Sequence, residues 1–237
     1  MQRSTGAWNP VSLVDPVDGR ALPLRIAYPQ HGTSVPIVLF SHGLYSSMDE
    51  YNPILDAWAA EGYVVIAPTH RDSVTLGVQR GTFEPRFLPW RMDDMQLILR
   101  QLPQVLAVVP GLAPRTDPTR IAATGHSLGG MVAQSLGGAP YLDSESGATI
   151  RQADERVRAT VIISGPGAIP GFLRAGDFAG LRGPVLVSAG SNDLKQDPVL
   201  TGYEWRRQPY DLAPPGDKFL LTLDGADHYL GGSVGRD

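Results

Sequence analysis

The chain has 237 residues, enough for one large α/β domain, and no charged or low-complexity linker divides it, so a single domain over residues 1–237 is expected. Its formal net charge of −4 is mild and the charged residues are scattered, which argues against nucleic acid or an anionic membrane as a partner. Because the chain contains no cysteine, disulfides, thiolate nucleophiles and cysteine metal sites are excluded.

The N-terminal segment predicts an antiparallel hairpin at the edge of a sheet. Residues 8–14 and 22–28 are rich in strand-forming side chains, and the connection 15–20 contains the Pro, Asp and Gly residues that form turns. Two adjacent strands with a short connection pair most easily as antiparallel neighbours.

Apolar runs and helical patterns alternate along the rest of the chain. Strands are predicted at the short apolar runs 35–40, 63–67, 121–124, 159–164, 185–188 and 219–223. Helices are predicted where apolar residues recur every three or four positions, at 51–59, 95–109 and 128–136. This alternation implies right-handed parallel crossovers. We therefore expect an α/β fold of about eight strands, mostly parallel with an antiparallel N-terminal edge, and helices on both faces of the sheet.

The second predicted helix carries acidic residues at its start and a proline within it. Asp93 and Asp94 are expected in its first turn, where the helix dipole favours negative charge, and Pro103 is expected to bend it. Three long stretches have no regular pattern and are expected to form the walls of a substrate pocket: residues 71–90, 140–157 and 165–183.

The segment around Ser127 carries the strongest functional signal. Gly125 and Gly129 flank the serine in a G-x-S-x-G pattern that follows an apolar strand and opens a helical pattern. In such an elbow the glycines leave room for a strained turn that exposes the serine hydroxyl as a nucleophile. A second match, centred on Ser233, has no preceding strand and no following helix, so context favours Ser127.

A serine nucleophile needs a base and an acid that orients the base. Of the five histidines only His228 follows Ser127, and it lies in a loop directly after the last predicted strand. Asp193, at the end of the penultimate strand, is the preferred acid, and Asp197 is the alternative. Two aspartates lie too close to the histidine along the chain and are expected to form turns: Asp224 and Asp227.

Attack on a carbonyl also requires amide donors for the developing negative charge. The amide of Leu128, directly after the nucleophile, is one expected donor, and Leu44, in the loop after the third predicted strand, is the other. Tyr45 is the alternative to Leu44. His42 and His126 flank these groups and are expected to support them rather than to act as bases.

Four aromatic residues in the first irregular stretch and beside the oxyanion loop are candidates for an apolar wall of the pocket, and packing of the loop alone is the alternative role: Tyr45, Phe83, Phe87 and Trp90. Arg71 and Asp72 are expected to form a structural ion pair or cap at a strand end.

Together these segments resemble α/β-hydrolases of the platelet-activating factor acetylhydrolase and dienelactone hydrolase-like group, and more distantly polyester-degrading cutinase-type enzymes. The resemblance rests on the segments Phe40–Leu44, Ala67–Asp72, Gly125–Gly130, Gly190–Asp193 and Gly225–His228. It implies a triad of Ser127, Asp193 and His228, with Leu44 and Leu128 forming the oxyanion hole. In such enzymes a helix follows the histidine loop, whereas nine residues follow His228 here, so a missing C-terminal helix is expected.

The expected activity is that of a serine carboxylester hydrolase that forms an acyl-enzyme on short to medium acyl esters, without a cofactor or metal. Two alternatives stay open: amide, thioester or lactone hydrolysis by the same triad, and an inactive binding protein with this fold. The expected partner is a small-molecule ester. The N-terminus has no apolar core of a signal peptide, so a cytoplasmic protein is expected, with secretion possible if a leader has been removed. No run of about 18 apolar residues occurs, so no membrane span is expected. The oligomeric state is left open.

Overall fold

The computed structural model describes residues 4–81, 83–193 and 202–235. The strands are, in chain order, Thr5–Val14 (β1), Ala21–Pro29 (β2), Val35–Ser41 (β3), Val64–Pro68 (β4), Thr116–His126 (β5), Tyr141–Leu142 (β6), Thr149–Ile150 (β7), Val157–Ile163 (β8), Val185–Gly190 (β9) and Lys218–Leu223 (β10). The α-helices are Asn52–Ala60 (α1), Phe87–Arg100 (α2), Leu102–Ala107 (α3), Leu128–Leu136 (α4) and Tyr203–Leu212 (α5).

Eight strands form one sheet in the order β1-β2-β4-β3-β5-β8-β9-β10, and β6 and β7 form a separate small hairpin. The pairs β1–β2 and β2–β4 are antiparallel, and the other pairs of the main sheet are parallel. The predicted fold class is thereby confirmed, including the antiparallel N-terminal edge.

Successive residues of the central strands contribute to two apolar cores. On β3, Ile37 and Leu39 belong to the larger core with α2 and α4, while Val38 and Phe40 belong to the smaller core with α1. Side chains alternate between the two faces of a strand, so a strand covered by helices on both faces is apolar at every position. This is the physical reason for the unbroken apolar run in the sequence.

The register of the sheet aligns the carboxyl ends of its parallel strands. Ser41 at the end of β3 pairs with Gly125 on β5, and Leu223 at the end of β10 pairs with Gly190 at the end of β9. The loops that carry the candidate site residues therefore leave the sheet at one edge, where open α/β sheets bind their ligands.

Three predicted features of the helices are wrong. Helix α2 begins at Phe87 rather than near Asp93, so Asp93 and Asp94 lie in its middle and the last residues of the first irregular stretch are helical. The apolar residues at its start are buried, and Pro89 is tolerated in a first turn, where its missing N–H has no helical partner. Pro103 lies in the first turn of the separate helix α3, which begins at Leu102, instead of bending a longer helix.

Two elements were not predicted. The β6–β7 hairpin lies inside the second irregular stretch. Helix α5 has Pro209 within it and buries the charged residue Arg206, both of which obscure a helical apolar pattern. Among the described residues, no helix is both long and apolar enough to cross a membrane.

Candidate active site

Ser127 occupies the turn between β5 and α4 in a strained conformation. Its φ of 56° and ψ of −121° are unusual for a residue with a side chain and cost free energy. The turn is possible because strand and helix approach closely: a Cβ on Gly129 would lie 1.9 Å from the carbonyl oxygen of Ser41, and one on Gly125 2.1 Å from that of Gly129. The Ser127 amide donates to the Ile163 carbonyl at 3.0 Å, which anchors the turn to β8.

His228 and Asp193 form a hydrogen-bonded pair. Nδ1 of His228 lies 3.0 and 3.1 Å from the two carboxylate oxygens of Asp193. The carboxylate can only accept when ionised, so Nδ1 carries the proton and Nε2 is left as an acceptor. The imidazole is 26% exposed and the carboxylate 1%, so a ligand can reach the histidine while the aspartate stays shielded from water.

The pKa of Asp193 lies below its ordinary value. Burial disfavours the charged form, but the hydrogen bond with His228 and the positive charge of Arg206 outweigh burial. The aspartate is therefore an anion at neutral pH.

Backbone contacts tie the loop of the acid to the loop of the histidine. The Asn192 amide donates to the Ala226 carbonyl at 2.9 Å, and the Ser191 amide donates to the Leu223 carbonyl at 3.0 Å. A Cβ on Gly190 would lie 2.0 Å from the Ala226 carbonyl oxygen, so only glycine fits there without a shift. These contacts hold Asp193 and His228 at a fixed separation.

The competing carboxylates have other partners or lie outside the described residues. Asp227 accepts from the amides of Tyr229 at 3.0 Å and Gly231 at 3.2 Å, which is the turn-forming role predicted for it. Asp224 accepts from the Ser191 hydroxyl at 3.0 Å. Asp197, the alternative acid, lies outside the described residues.

His126 supports the histidine loop. Its Nε2 donates to the carbonyl of His228 at 2.8 Å, and its Nδ1 accepts from the Tyr51 hydroxyl at 2.8 Å. Burial and the nearby charge of His228 lower the pKa of His126 to about 3, so the ring is neutral and both contacts are satisfied by one tautomer.

Arg206 is a site residue that sequence reasoning missed. Its Nε lies 3.2 Å from a carboxylate oxygen of Asp193, and its Nη1 donates to the Ser164 carbonyl at 2.8 Å. The guanidinium also lies over the Trp205 ring, 4.8 Å from its centroid. It went unnoticed because its helix, α5, was not predicted.

A second missed residue, Arg91, lies behind the loop that carries Leu44. It is fully buried and binds both carboxylate oxygens of Asp72, at 2.9 and 2.6 Å. The predicted pairing of Arg71 with Asp72 is therefore wrong, and Arg71 lies 3.8 Å from Asp94 instead. The sequence did carry a signal for this residue: Arg91 lies three positions after Leu88, on the apolar face of the helix, and a charge on that face indicates a buried ion pair.

The three candidate triad residues line one cavity of about 450 Å³. Its wall is largely apolar and comes from five parts of the chain: Leu44, Phe83, Leu88, Leu128, Met131, Pro166, Ile169, Phe172 and Trp205. Arg206 lies beside Asp193 in the same wall. The amides of Leu44 and Leu128 therefore belong to residues at the cavity that also holds Ser127.

Of the four aromatic residues expected at the pocket, Phe83 is the one in its wall. Phe87 packs against Phe83 with ring centroids 5.9 Å apart, and Tyr45 and Trp90 pack against Phe87 at 6.4 and 5.8 Å. These three residues form an aromatic cluster that supports Phe83. The described residues contain no group of three or more histidines and carboxylates placed to hold a metal ion.

Comparisons with solved structures show the fold. A candidate dienelactone hydrolase from Klebsiella pneumoniae subsp. pneumoniae is 15% identical, with a TM-score of 0.65, covering 97% of this chain and 89% of that chain. Esterase 2 of Thermogutta terrifontis is 17% identical, with a TM-score of 0.63 and coverage of 93% and 83%. A serine hydrolase homologue from Coxiella burnetii is 16% identical, with a TM-score of 0.64 and coverage of 94% and 90%.

Comparison with protein families identifies the family of this chain in addition to its fold. The family model described as chlorophyllase matches residues 11–139, more than half of the chain. Chlorophyllase-1 of Arabidopsis thaliana is 28% identical over 136 residues, which are 55% of this chain and 39% of that protein. The match thus spans about two fifths of the length of this relative. The chain belongs to the chlorophyllase family, a family of hydrolytic enzymes with the α/β-hydrolase fold.

Proposed function

We propose that the protein is a serine carboxylester hydrolase that forms an acyl-enzyme on Ser127. The observation that carries the proposal is the bonded pair of Asp193 and His228 at the same cavity as a serine held in a strained turn. A nucleophile, a base in a defined tautomer and a buried acid are the parts that acyl transfer requires.

In the proposed reaction the Ser127 hydroxyl attacks the ester carbonyl, and Nε2 of His228 accepts its proton. The amides of Leu44 and Leu128 donate to the oxyanion that forms. His228 then gives the proton to the leaving alcohol, and water, activated by the same imidazole, releases the acid. Asp193 keeps Nδ1 protonated and stabilises the imidazolium in both steps.

The cavity supports an uncharged, apolar acyl or alkyl group as the bound part of the substrate. A volume of about 450 Å³ lies toward the lower end for small-molecule sites, which favours short to medium groups. A chlorophyll ester is the second substrate that we propose to test, because the matched relative is named chlorophyllase-1. The family match ends at residue 139, before Ile169, Phe172 and Trp205, so much of the wall that selects the substrate lies beyond it.

The test compares wild type with Ser127→Ala on p-nitrophenyl esters of increasing chain length and on chlorophyll. We expect kcat to fall about 10⁴-fold or more in the variant with the fold intact, because only the nucleophilic oxygen is removed. Ser233→Ala is the matched control: it alters the exposed serine of the second G-x-S-x-G match and should leave kcat unchanged.

Labelling with a fluorophosphonate separates this proposal from an inactive binding protein. We expect one label per chain, on Ser127, in wild type and in Ser233→Ala. Turnover by Ser127→Ala close to wild type would contradict the assignment of the nucleophile. An unlabelled wild type without ester, thioester or amide turnover would favour the binding protein.

A further inference from the structure

The guanidinium of Arg91 contacts the loop after β3 from inside the protein. Its Nη1 donates to the His42 carbonyl, and its Nη2 donates to the Gly43 carbonyl at 2.9 Å. Arg91 is also bonded to Asp72, so a buried ion pair is directed at two consecutive backbone carbonyls. Burying an ion pair costs desolvation free energy. An apolar side chain at this position of α2, like its apolar neighbours, would fill the same space without that cost.

Arg91 is the cation that contacts the carbonyls of the loop after β3. Although burial alone would raise the pKa of Asp72, the charge and hydrogen bond of Arg91 lower that pKa to about 2. Burial lowers the pKa values of His42 and His70, so both rings are neutral near pH 7. Asp94 bonds to His70 and to Arg20 on the far side of the cluster.

Every polar group of Gly43 has a defined partner. Nε2 of His42 accepts from the His70 amide at 2.9 Å, so in the neutral ring Nδ1 carries the proton and donates to the Gly43 carbonyl at 2.7 Å. The Gly43 amide donates to the Tyr51 hydroxyl at 2.9 Å. The carbonyl thus receives three donors, from His42, from Arg91 and from the Ser46 amide at 3.3 Å, and the peptide that links Gly43 to Leu44 has one orientation.

That orientation determines where the next amide points. In a trans peptide the C=O and the following N–H point in opposite directions. With the Gly43 carbonyl directed into the protein toward Arg91, the Leu44 N–H is directed the other way, and Leu44 lines the cavity. Within residues 4–81, 83–193 and 202–235, the Leu44 amide donates no backbone hydrogen bond.

We propose that Arg91 is a positioning residue that orients and polarises the Leu44 amide as an oxyanion donor. This inference rests on the proposed function. A cation on the carbonyl oxygen draws electron density from the peptide nitrogen and makes its N–H a stronger donor. Because the peptide is already oriented, no reorganisation is required when the oxyanion forms.

The test uses Arg91→Lys and the double variant Arg91→Met/Asp72→Asn, which removes both charges so that neither stays buried alone. We expect kcat per active site to fall about 10²-fold in the double variant, toward the effect of losing one oxyanion donor. KM should change less than about threefold, since the amide matters most in the transition state. Active sites are counted by end-point fluorophosphonate labelling, so a loss of folded protein does not register as a loss of kcat.

The rate of fluorophosphonate labelling should fall in parallel with kcat, because the phosphonyl oxygen occupies the same position as the oxyanion. Arg91→Lys keeps the charge but loses the two-pronged contact, and we expect a loss of about tenfold. The matched control is Arg156→Met/Asp154→Asn, a pair that also anchors α2, through the Leu99 carbonyl at 3.0 Å, without contacting the loop. It should leave kcat per active site unchanged.

Wild-type kcat per active site in Arg91→Lys and in the double variant would overturn this inference while leaving the proposed function in place. If the double variant does not fold, Arg91→Lys carries the test, and an unchanged labelling rate in that variant overturns the inference. A wild type that neither turns over esters nor is labelled overturns the proposed function and this inference with it.

Discussion

Asp193 is shared between a histidine and an arginine. The carboxylate bonds to Nδ1 of His228 and lies 3.2 Å from Nε of Arg206. The contact with His228 sets the tautomer of the imidazole, and the contact with Arg206 balances the buried negative charge of the carboxylate. A change at this residue should therefore affect both activity and stability.

We expect Asp193→Asn to lower kcat by about 10⁴, because an amide that donates to Nδ1 stabilises the wrong tautomer. Stability should also fall, since Arg206 loses its buried anion. Steady-state kinetics normalised to labelled active sites separates the two effects. Asp197→Asn is the control, and a larger loss in that variant would move the role of the acid to Asp197.

The turn between β5 and α4 requires glycine at position 129 because a side chain there would clash, not because the backbone adopts a conformation that only glycine allows. A Cβ there would meet the backbone of Ser41 at 1.9 Å, and a backbone atom cannot move aside as the end of a flexible side chain can. The same contact holds β3 beside the elbow, which places the Leu44 loop near Ser127.

We expect Gly129→Ala to lower the free energy of unfolding by about 3 kcal/mol or more, at the upper end for overpacked sites. Gly176→Ala is a matched control, because Gly176 has no neighbouring heavy atom within 4 Å of the added Cβ and does not adopt a positive φ. Urea unfolding of both variants measures the difference. Equal midpoints for the two variants would contradict the close approach of strand and helix.

Three buried histidines make the stability of the folded protein sensitive to mild acid. Burial lowers the pKa values of His42, His70 and His126, and for His126 the value is about 3. An unfolded histidine titrates at about 6.5. As the pH falls below that value, the unfolded chain binds protons that the folded chain does not, so the folded state loses stability.

We expect the free energy of unfolding to fall between pH 6.5 and 4.5 by up to about 1.4 kcal/mol per pH unit for each of these histidines. Above about pH 7 the three groups contribute no slope, because they are neutral in both states. Urea unfolding at several pH values measures this slope. His31→Gln, which changes an exposed histidine, should leave it unaltered, and a constant stability between pH 7 and 5 would show that the rings are not buried as neutral groups.

The amino-acid pattern alone determined the fold class and the setting of Ser127. Apolar runs predict the buried strands because helices cover both faces of the sheet, and the elbow is recognisable because strand, serine, glycines and helix are neighbours along the chain. Asp193 and His228 could also be proposed from chain order, and the structure brings them together. Their catalytic roles, and those of Leu44 and Leu128, stay predictions.

Only the tertiary structure decided which charges meet. Arg91 pairs with Asp72, 19 positions away along the chain, and Arg206 on α5 lies 3.2 Å from Asp193. Ion pairs across such separations leave no periodic signal, and α5 was hidden because its buried positions include Arg206 and Pro209. Local patterns specify elements through short-range sterics and periodic burial, whereas the partner of a buried charge depends on how the elements pack.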